Sequence, residues 1–425
     1  MRQHGTLSAI TKGSIAAMFV LSLSLAACGG GSTTSGGVIK IATDLPVSGT
    51  DASNGLPTQY GADLAADQNK DLGGGYTLQI VHKNYEGTSG ADASIGAADI
   101  RALLADPQVM AVVGPFNSSV AVAEIPIATN GHLVLMSPAN TNPGLTLEQF
   151  ASARGINFAQ LHPAGSKEYY FRTPANDYIQ GKVDSQIAMS APINAKSAFV
   201  IDDSTTYGAG LASYFTTWFK QSGGTISGSH SITPQEVSTF NSLAATIEAT
   251  KPDVVYYGGV VSQGGGALKK ALVAAGYKGY VVGGDGIAAD PSWISTAGAS
   301  AAVNTVGTVA APDPGSLTSA DATTFKSAYT AFVASKQDND LLPYSAAAYA
   351  CATIEIDAIK AIIKSGKAPT REAVRDYIAG NTFSTVIGNI SFDANGDNAG
   401  AKVFSVYAVS ADGSKWDYQQ TIVAS

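Results

Sequence analysis

GPFNSSVAVAEIPIATNGHLVLMSPANTNP, residues 114–143, decides how this chain folds. The stretch before it, VMAVV at 109–113, reads as a short buried strand. After the Gly114-Pro115 turn, Ser118 and Ser119 open an apolar helical run to about Ala128, and 133–136 forms a second strand that breaks at Ser137-Pro138-Ala139-Asn140-Thr141. Strand, helix and strand of this length fit one βαβ unit, whose right-handed crossover makes the two strands parallel. Parallel strands end on one edge of the sheet, so the loops holding Ser118 and Thr141 face one crevice, where open α/β sheets bind ligands. Two hydroxyls and the free N–H groups of a helix start suit a carboxylate or a phosphate. The same residues also serve as an ordinary helix cap and a chain turn, and the stretch alone does not separate the two.

The chain has 425 residues, 45% hydrophobic and 14% charged, which is long enough for two lobes of ordinary domain size. A net charge of -8 without clustered Lys and Arg argues against nucleic acid as a partner. The cysteines are Cys28 and Cys351, so neither a disulfide framework nor a cysteine metal cluster is expected. His4, His82, His132, His162 and His230 are scattered, with none paired at ligand spacing. The chain is therefore read as needing no metal and no cofactor.

The first residues read as a targeting segment. Arg2 and Lys12 precede an apolar run at 15–25 that is short for a membrane span, and Leu25-Ala26-Ala27-Cys28 matches a bacterial lipobox. Residues 1–27 are expected to be a lipoprotein signal peptide and Cys28 the lipidated residue. The Gly/Ser stretch at 28–37 then acts as a tether from the membrane. Cys351 lies in an apolar helical run and is expected to pack as a small hydrophobe.

The alternation of strand and helix extends in both directions from 114–143. Strands are expected at 39–42 and 78–81, with a helix carrying Tyr60 and Leu64, Pro57 near its start, and another helix from about Asp92. Residues 145–168 lose periodicity and read as a surface excursion, and Phe171-Arg172-Thr173-Pro174 reads as the crossing into a second lobe. There the alternation restarts with strands at 198–201, 253–257 and 280–282, and with helices through Phe219, around Phe240 to Ile247, and at 266–275. The glycines of GGVVSQGGG, 258–266, follow a strand, yet they lack the GK[ST] ending and do not spell GxGxxG, so a nucleotide loop is not expected. Asp285 ends a strand of the second lobe as Ser118 follows one in the first. Once buried, such a carboxylate needs a cation, which an ammonium on a ligand would supply. Pro312 and Pro314 suggest a second hinge strand at 310–315. Helices are expected at 321–335, 344–363 and 370–379, a strand at 388–392, and a closing hairpin from 402–409 and 416–423.

The set IATDLPVSG, VGPFNSS, SPANTNPGLT, DDSTTYGAGL, DVVYYGGV, GGDG and IGNISFDANGD, in this order, resembles the leucine/isoleucine/valine-type substrate-binding proteins of ABC transporters, from about Val38 onward. The resemblance implies a type I periplasmic-binding fold, α/β, with two Rossmann-like lobes around parallel sheets and a three-crossover hinge. Lobe one would hold 38–172 plus 311–395, and lobe two 173–310 plus 396–425. It also implies that Ser118 and Thr141 hold a ligand's α-carboxylate, with Phe116 and Asn117 alongside and Ala139 and Asn140 contributing backbone. Tyr207 would come from the second lobe, Asp285 would pair with the α-ammonium, and Asp177 would stand at the pocket edge. Asn54, Val260 and Ala346 depart from the family's bulkier residues, so they are expected to set a larger or differently polar side-chain pocket.

The function this implies is an extracytoplasmic, lipid-anchored binding protein, not an enzyme, that captures an amino acid, branched-chain or similar, and passes it to ABC permease subunits. The alternatives are a lipid-anchored sensor of the same fold signalling to a membrane receptor or kinase, and a binder of small amides or carboxylates. A further alternative is a secreted enzyme on a Rossmann-like scaffold; no GxSxG elbow, HExxH or paired histidines occur to support it, which leaves it carboxylate chemistry alone.

Overall fold

The computed structural model describes residues 36–424; Cys28, the targeting segment and most of the tether lie outside the described residues. Two sheets organise the chain. The first is built from β1 (Val38–Asp44), β2 (Asp71–Gly73), β3 (Tyr76–Lys83), β4 (Val109–Val113), β5 (Val134–Ser137) and β6 (Tyr170–Arg172), in the order β2-β3-β1-β4-β5-β6. All pairs are parallel except β2 with β3. Strands β4 and β5 are buried along their whole length, as continuous apolar runs covered on both faces should be. The helices α2 (Ala93–Leu104) and α3 (Ser118–Asn130) cover one face, and α1 (Ala52–Asp67) together with the helix of residues 343–364 covers the other. The parallel pairing expected between 109–113 and 133–136 is therefore present, with α3 linking the two strands in sequence.

After β6 the chain enters α4 (Asp177–Met189) and builds the second sheet from β7 (Ser197–Asp202), β8 (Thr225–Ser231), β9 (Val254–Gly258), β10 (Tyr280–Gly283) and β11 (Thr305–Val309). The helices α5 (Thr206–Gln221), α6 (Phe240–Thr250) and α7 (Gly265–Ala274) lie between these strands in sequence. The chain then returns to the first lobe for α8 (Ala320–Val333), α9 (Pro343–Lys364) and α10 (Arg371–Gly380). It leaves again to add the antiparallel hairpin of β12 (Lys402–Val409) and β13 (Trp416–Ala424) beside β11. The second sheet has the order β8-β7-β9-β10-β11-β12-β13. In both sheets the parallel strands run second, first, third, fourth, fifth, which puts a topological switch between the first and third strand of each.

Each sheet carries apolar side chains on both faces. In the first lobe, Ile41, Ala111, Val113, Val134 and Met136 pack with α9 residues such as Ile354 and Ile359, while Val112 and Leu135 pack with Ile100, Ala121 and Ile125. Helices α1 and α9 touch so closely that a Cβ on Gly61 would strike the main chain of Ser345. Cys351 is fully buried within this core, consistent with its reading as a small apolar filler.

Several local expectations are corrected. Helix α1 starts at Ala52, so Pro57 lies inside it and not near its start. Strand β11 was not anticipated, and 310–315 forms no strand; only a short 3₁₀ turn at Pro314–Ser316 occurs there. Residues 145–168 are not a free surface excursion. Leu145, Ala151, Ile156 and Leu161 bury against α3 and the first sheet, and His162 bridges the Leu145 carbonyl at 2.7 Å and Glu168 at 2.6 Å.

Candidate functional site

A cavity lies between the two sheets, and most of its wall is made by residues that leave the carboxyl ends of parallel strands. From the first lobe, Phe116, Asn117, Ser118 and Ser119 follow β4, and Ala139 and Thr141 follow β5. From the second lobe, Thr205 and Tyr207 follow β7, Val260 and Gln263 follow β9, and Asp285 and Gly286 follow β10. Asp51 and Ala91 complete the lining.

The β4 exit is shaped by Gly114, whose φ of +146° is open to glycine and where a Cβ would run into the Asp44 main chain. The buried Tyr85 then fixes the turn. Its hydroxyl accepts from the main-chain N–H of Phe116 at 2.8 Å and of Asn117 at 3.2 Å and donates to Asn117 Oδ1 at 2.9 Å. Asn117 is the N-cap of α3 but its side chain makes no cap bond, so the N–H groups of Ser118 and Ser119 stay open, while that of Val120 donates to the Asn117 carbonyl at 3.1 Å. The β5 exit is tied to the same turn. Ser137 Oγ donates to the Pro115 carbonyl at 2.6 Å and accepts from the N–H groups of Ala139 and Asn140 at 3.2 and 2.8 Å. Ser118 and Thr141 thus sit in one rigid frame with a positive helix end between them.

The opposite wall is acidic. Asp285 is 7% exposed; it accepts from Tyr207 Oη at 2.9 Å and from the Tyr344 hydroxyl of α9. The Tyr207 hydroxyl also accepts from the Gly286 N–H at 3.0 Å, which fixes its direction. Burial raises the Asp285 carboxyl above the usual range, and the hydrogen bonds from Tyr344 and Tyr207 pull it partly back. Among the described residues no Lys, Arg or His forms an ion pair with it. A desolvated carboxylate facing an open helix N-terminus is the electrostatic complement of a zwitterion.

The cavity brings together Ser118, Thr141, Phe116, Asn117, Ala139, Tyr207, Val260 and Asp285 of the residues expected from sequence. Four others stand elsewhere. Asn140 is a strut behind the wall, its amide donating to the Phe116 carbonyl at 2.7 Å and accepting from Tyr170 Oη at 2.9 Å. Asp177 is fully buried at the start of α4, where burial first and the Asp285 charge second push its carboxyl well up. Asn54 does not enter the pocket, because α1 begins before it and turns its amide onto Asp290 at 2.7 Å. Ala346 faces away, packed with Tyr60, Leu64 and Phe325. Sequence reasoning missed Asp51, Ser119, Thr205, Gln263 and the Tyr344 contact. Thr205 alone carried a local signal, as the N-cap of α5 donated to by the Gly208 N–H at 2.9 Å.

The family model described as periplasmic binding protein matches residues 38–414. This chain belongs to the periplasmic binding protein family. It is similar to the Leu/Ile/Val-binding protein BraC3 of Rhizobium johnstonii, 26% identical over 392 residues that cover 91% of this chain and 94% of the relative. The leucine binding protein LivK of Thermotoga maritima superposes with a TM-score of 0.75 at 22% identity, covering 91% of this chain and 99% of that one, and shares the fold. The branched-chain amino acid transporter substrate binding protein LivJ of Streptococcus pneumoniae, solved in complex with isoleucine, gives 0.73 at 25% identity with the same coverage. Among the described residues of this periplasmic binding protein, no helix is long and apolar enough to cross a membrane.

In this periplasmic binding protein the two lobes are clasped shut. Ser53 Oγ and Asn54 Nδ2, at the start of α1, donate to Asp290 at 3.0 and 2.7 Å, and Asn142 Nδ2 donates to the Thr206 carbonyl at 2.7 Å. A hydrogen bond to a charged group contributes about 1.5–3 kcal/mol, much of it replaced by water when the lobes part. The double variant Ser53→Ala/Asn54→Ala is therefore expected to shift the ligand-free protein toward an open form while leaving Asp290 free to cap the helix at Pro291–Ala297. Small-angle scattering should show a larger radius of gyration than for the parent, and an unchanged radius would remove the clasp from the closing equilibrium.

Proposed function

We propose that this chain is the extracytoplasmic solute-binding component of an ABC transporter, capturing a free amino acid between its lobes and delivering it to membrane permease subunits. The observation that carries the reading is Asp285, a buried carboxylate without a cation of its own, set across the cavity from Ser118, Thr141 and the open start of α3. The first lobe would receive the ligand's carboxylate through two hydroxyls and first-turn N–H groups. The second would bring Tyr207 and Asp285 onto the ammonium as it closes, and Tyr344 of α9 would hold Asp285 from the first-lobe side. The names of the relatives, Leu/Ile/Val-binding and branched-chain amino acid transporter proteins, support an amino acid as the cargo.

The lobe limits 38–172 plus 311–395 and 173–310 plus 396–425 belong to the same proposal. So does anchoring through lipid on Cys28, with the Gly/Ser stretch as spacer; the LAAC motif supports it. Asn140 would serve the site indirectly, by holding the Phe116 carbonyl.

A thermal-shift screen tests the reading. A ligand at a hundred times its dissociation constant stabilises the closed protein by about 2.7 kcal/mol. Some L-amino acids should raise the melting midpoint, whereas their des-amino and decarboxylated analogues should not. Equal shifts with the analogues would overturn the zwitterion clamp.

A further inference from the structure

The carboxylate and ammonium partners leave one end of the cavity unassigned, and that end is polar. Asp51, the last residue of the turn at Gly49–Asp51, lies against the side chains of Asn117 and Ser262 and the main chain of Ala91. The second lobe closes over it with the short turn at Val261–Gln263. A methyl group added to Gly90 would meet Gln263 Nε2 at 3.1 Å and Ser262 Oγ at 3.9 Å, so this end is a seam between the lobes. Asp51 and Gln263 both line the cavity. Burial raises the Asp51 carboxyl, with the Ser262 and Asn117 side chains and the Ala91 main chain offsetting part of the rise, and no side-chain hydrogen bond of Gln263 occurs among the described residues.

The charges near Asp51 are of its own sign: Glu86 and Asp290 both feel its field, and no Lys, Arg or His pairs with it among the described residues. An aliphatic ligand side chain would seal this carboxylate away from water with only the neutral donors of Ser262, Asn117 and Ala91 beside it, and burying a charge without a cationic partner is unfavourable. A nitrogen donor would pair with it and find Asn117 and Gln263 at either side. Phe116, Val260 and Ala91 would cover the methylenes in between.

Resting on the zwitterion-clamp reading of the same cavity, we infer that its ligand is an amino acid whose side chain ends in a nitrogen donor, seated against Asp51, and not a branched aliphatic one. Asp51 is then the specificity-determining residue of the site. The position expected from family resemblance, Asn54, is instead spent on closing the lobes.

Calorimetric titration of the full chain with L-isoleucine, L-glutamine, L-ornithine and L-lysine tests this, in the parent and in Asp51→Asn and Asp285→Asn. At least one nitrogen-terminated ligand should bind about tenfold or more tighter than isoleucine, and Asp51→Asn should reduce that preference by about tenfold or more, as expected for removing one member of a close charge pair. Preference for ornithine or lysine identifies a cationic end, and preference for glutamine an amide end; either supports the inference. Isoleucine binding as tightly as every nitrogen-terminated ligand would overturn it, as would Asp51→Asn weakening all ligands alike, and both results would leave the clamp standing. If Asp285→Asn leaves the affinity of a bound amino acid unchanged, or if no amino acid binds the parent, the clamp fails and the inference with it. Matching thermal melts of ligand-free parent and Asp51→Asn ensure that a lost preference is not a folding defect.

Discussion

Asp285→Asn is expected to weaken amino-acid binding by well over tenfold while leaving the fold intact. The substitution keeps the shape of the side chain and one acceptor for Tyr207, but it removes the charge that faces the ligand's ammonium. Truncating one partner of a buried, hydrogen-bonded charge pair costs about 2–5 kcal/mol, against roughly 8 kcal/mol for micromolar binding as a whole. Stability of the free protein should hold or rise, because the parent already carries an unpaired carboxylate in a desolvated position. Titration calorimetry on parent and variant measures the first effect and thermal melts the second. An unchanged affinity would take Asp285 out of the site.

The same carboxylate gives binding a pH dependence with a defined sign. Burial raises its pKa in the ligand-free protein, with Tyr344 and Tyr207 offsetting part of the rise. The ammonium needs the ionised form, so ligand competes with a proton at Asp285. Affinity should be full above the raised pKa and fall as pH drops through it, with protons released on binding in that window. Asp285→Asn should abolish this portion of the pH profile, which distinguishes a charge effect from simple loss of a hydrogen bond.

How much of this was legible in the sequence follows from where each residue sits. Ser118, Thr141, Tyr207 and Asp285 come just after short apolar runs, and in a parallel sheet everything just after such a run lies on one edge. The strand pattern therefore located them without knowledge of contacts. Tyr344 reaches Asp285 across 59 residues from the first turn of a helix in the other lobe, and no local pattern encodes that meeting. Asp51 and Gln263 reach one cavity from segments far apart in sequence, so their relation belongs to the closed form and not to either segment. Asn54 was misplaced for a specific reason: α1 begins at Ala52, and its first turn swings the amide to Asp290. Strand β11 escaped notice because Thr305–Val309 is short and interrupted by glycine, and it becomes a strand through pairing on both sides with β10 and β12.

Arg172→Met should be among the most destabilising single substitutions in the chain. Arg172 is fully buried at the end of β6; its Nε donates to Asp397 Oδ1 at 2.6 Å, Nη1 to the Asn142 carbonyl at 2.7 Å and Nη2 to Thr146 Oγ1 at 2.7 Å. Its main chain is also engaged, the N–H donating to the Gly396 carbonyl at 3.0 Å and the carbonyl accepting from the Asn398 N–H at 3.2 Å. One guanidinium thereby joins the loop that carries Thr141 to the turn from which the chain departs for β12. Methionine fills much of the volume but strips the cation from Asp397, whose other oxygen keeps only the neutral Thr146 hydroxyl at 3.1 Å, and takes one donor each from the Asn142 carbonyl and Thr146 Oγ1; breaking a buried pair in this way costs about 3–5 kcal/mol. Lysine should recover only part, since a point charge cannot reach three acceptors in fork geometry. The double variant Arg172→Met/Asp397→Leu separates charge from packing. Removing both members eliminates the orphaned carboxylate, so denaturant melts should show the double variant more stable than Arg172→Met alone. A double variant as unstable as the single one would mean that the guanidinium acts through the loop carbonyls and not through Asp397. In either variant the Thr141 loop loses its support from below, so ligand affinity should fall even where the protein remains folded.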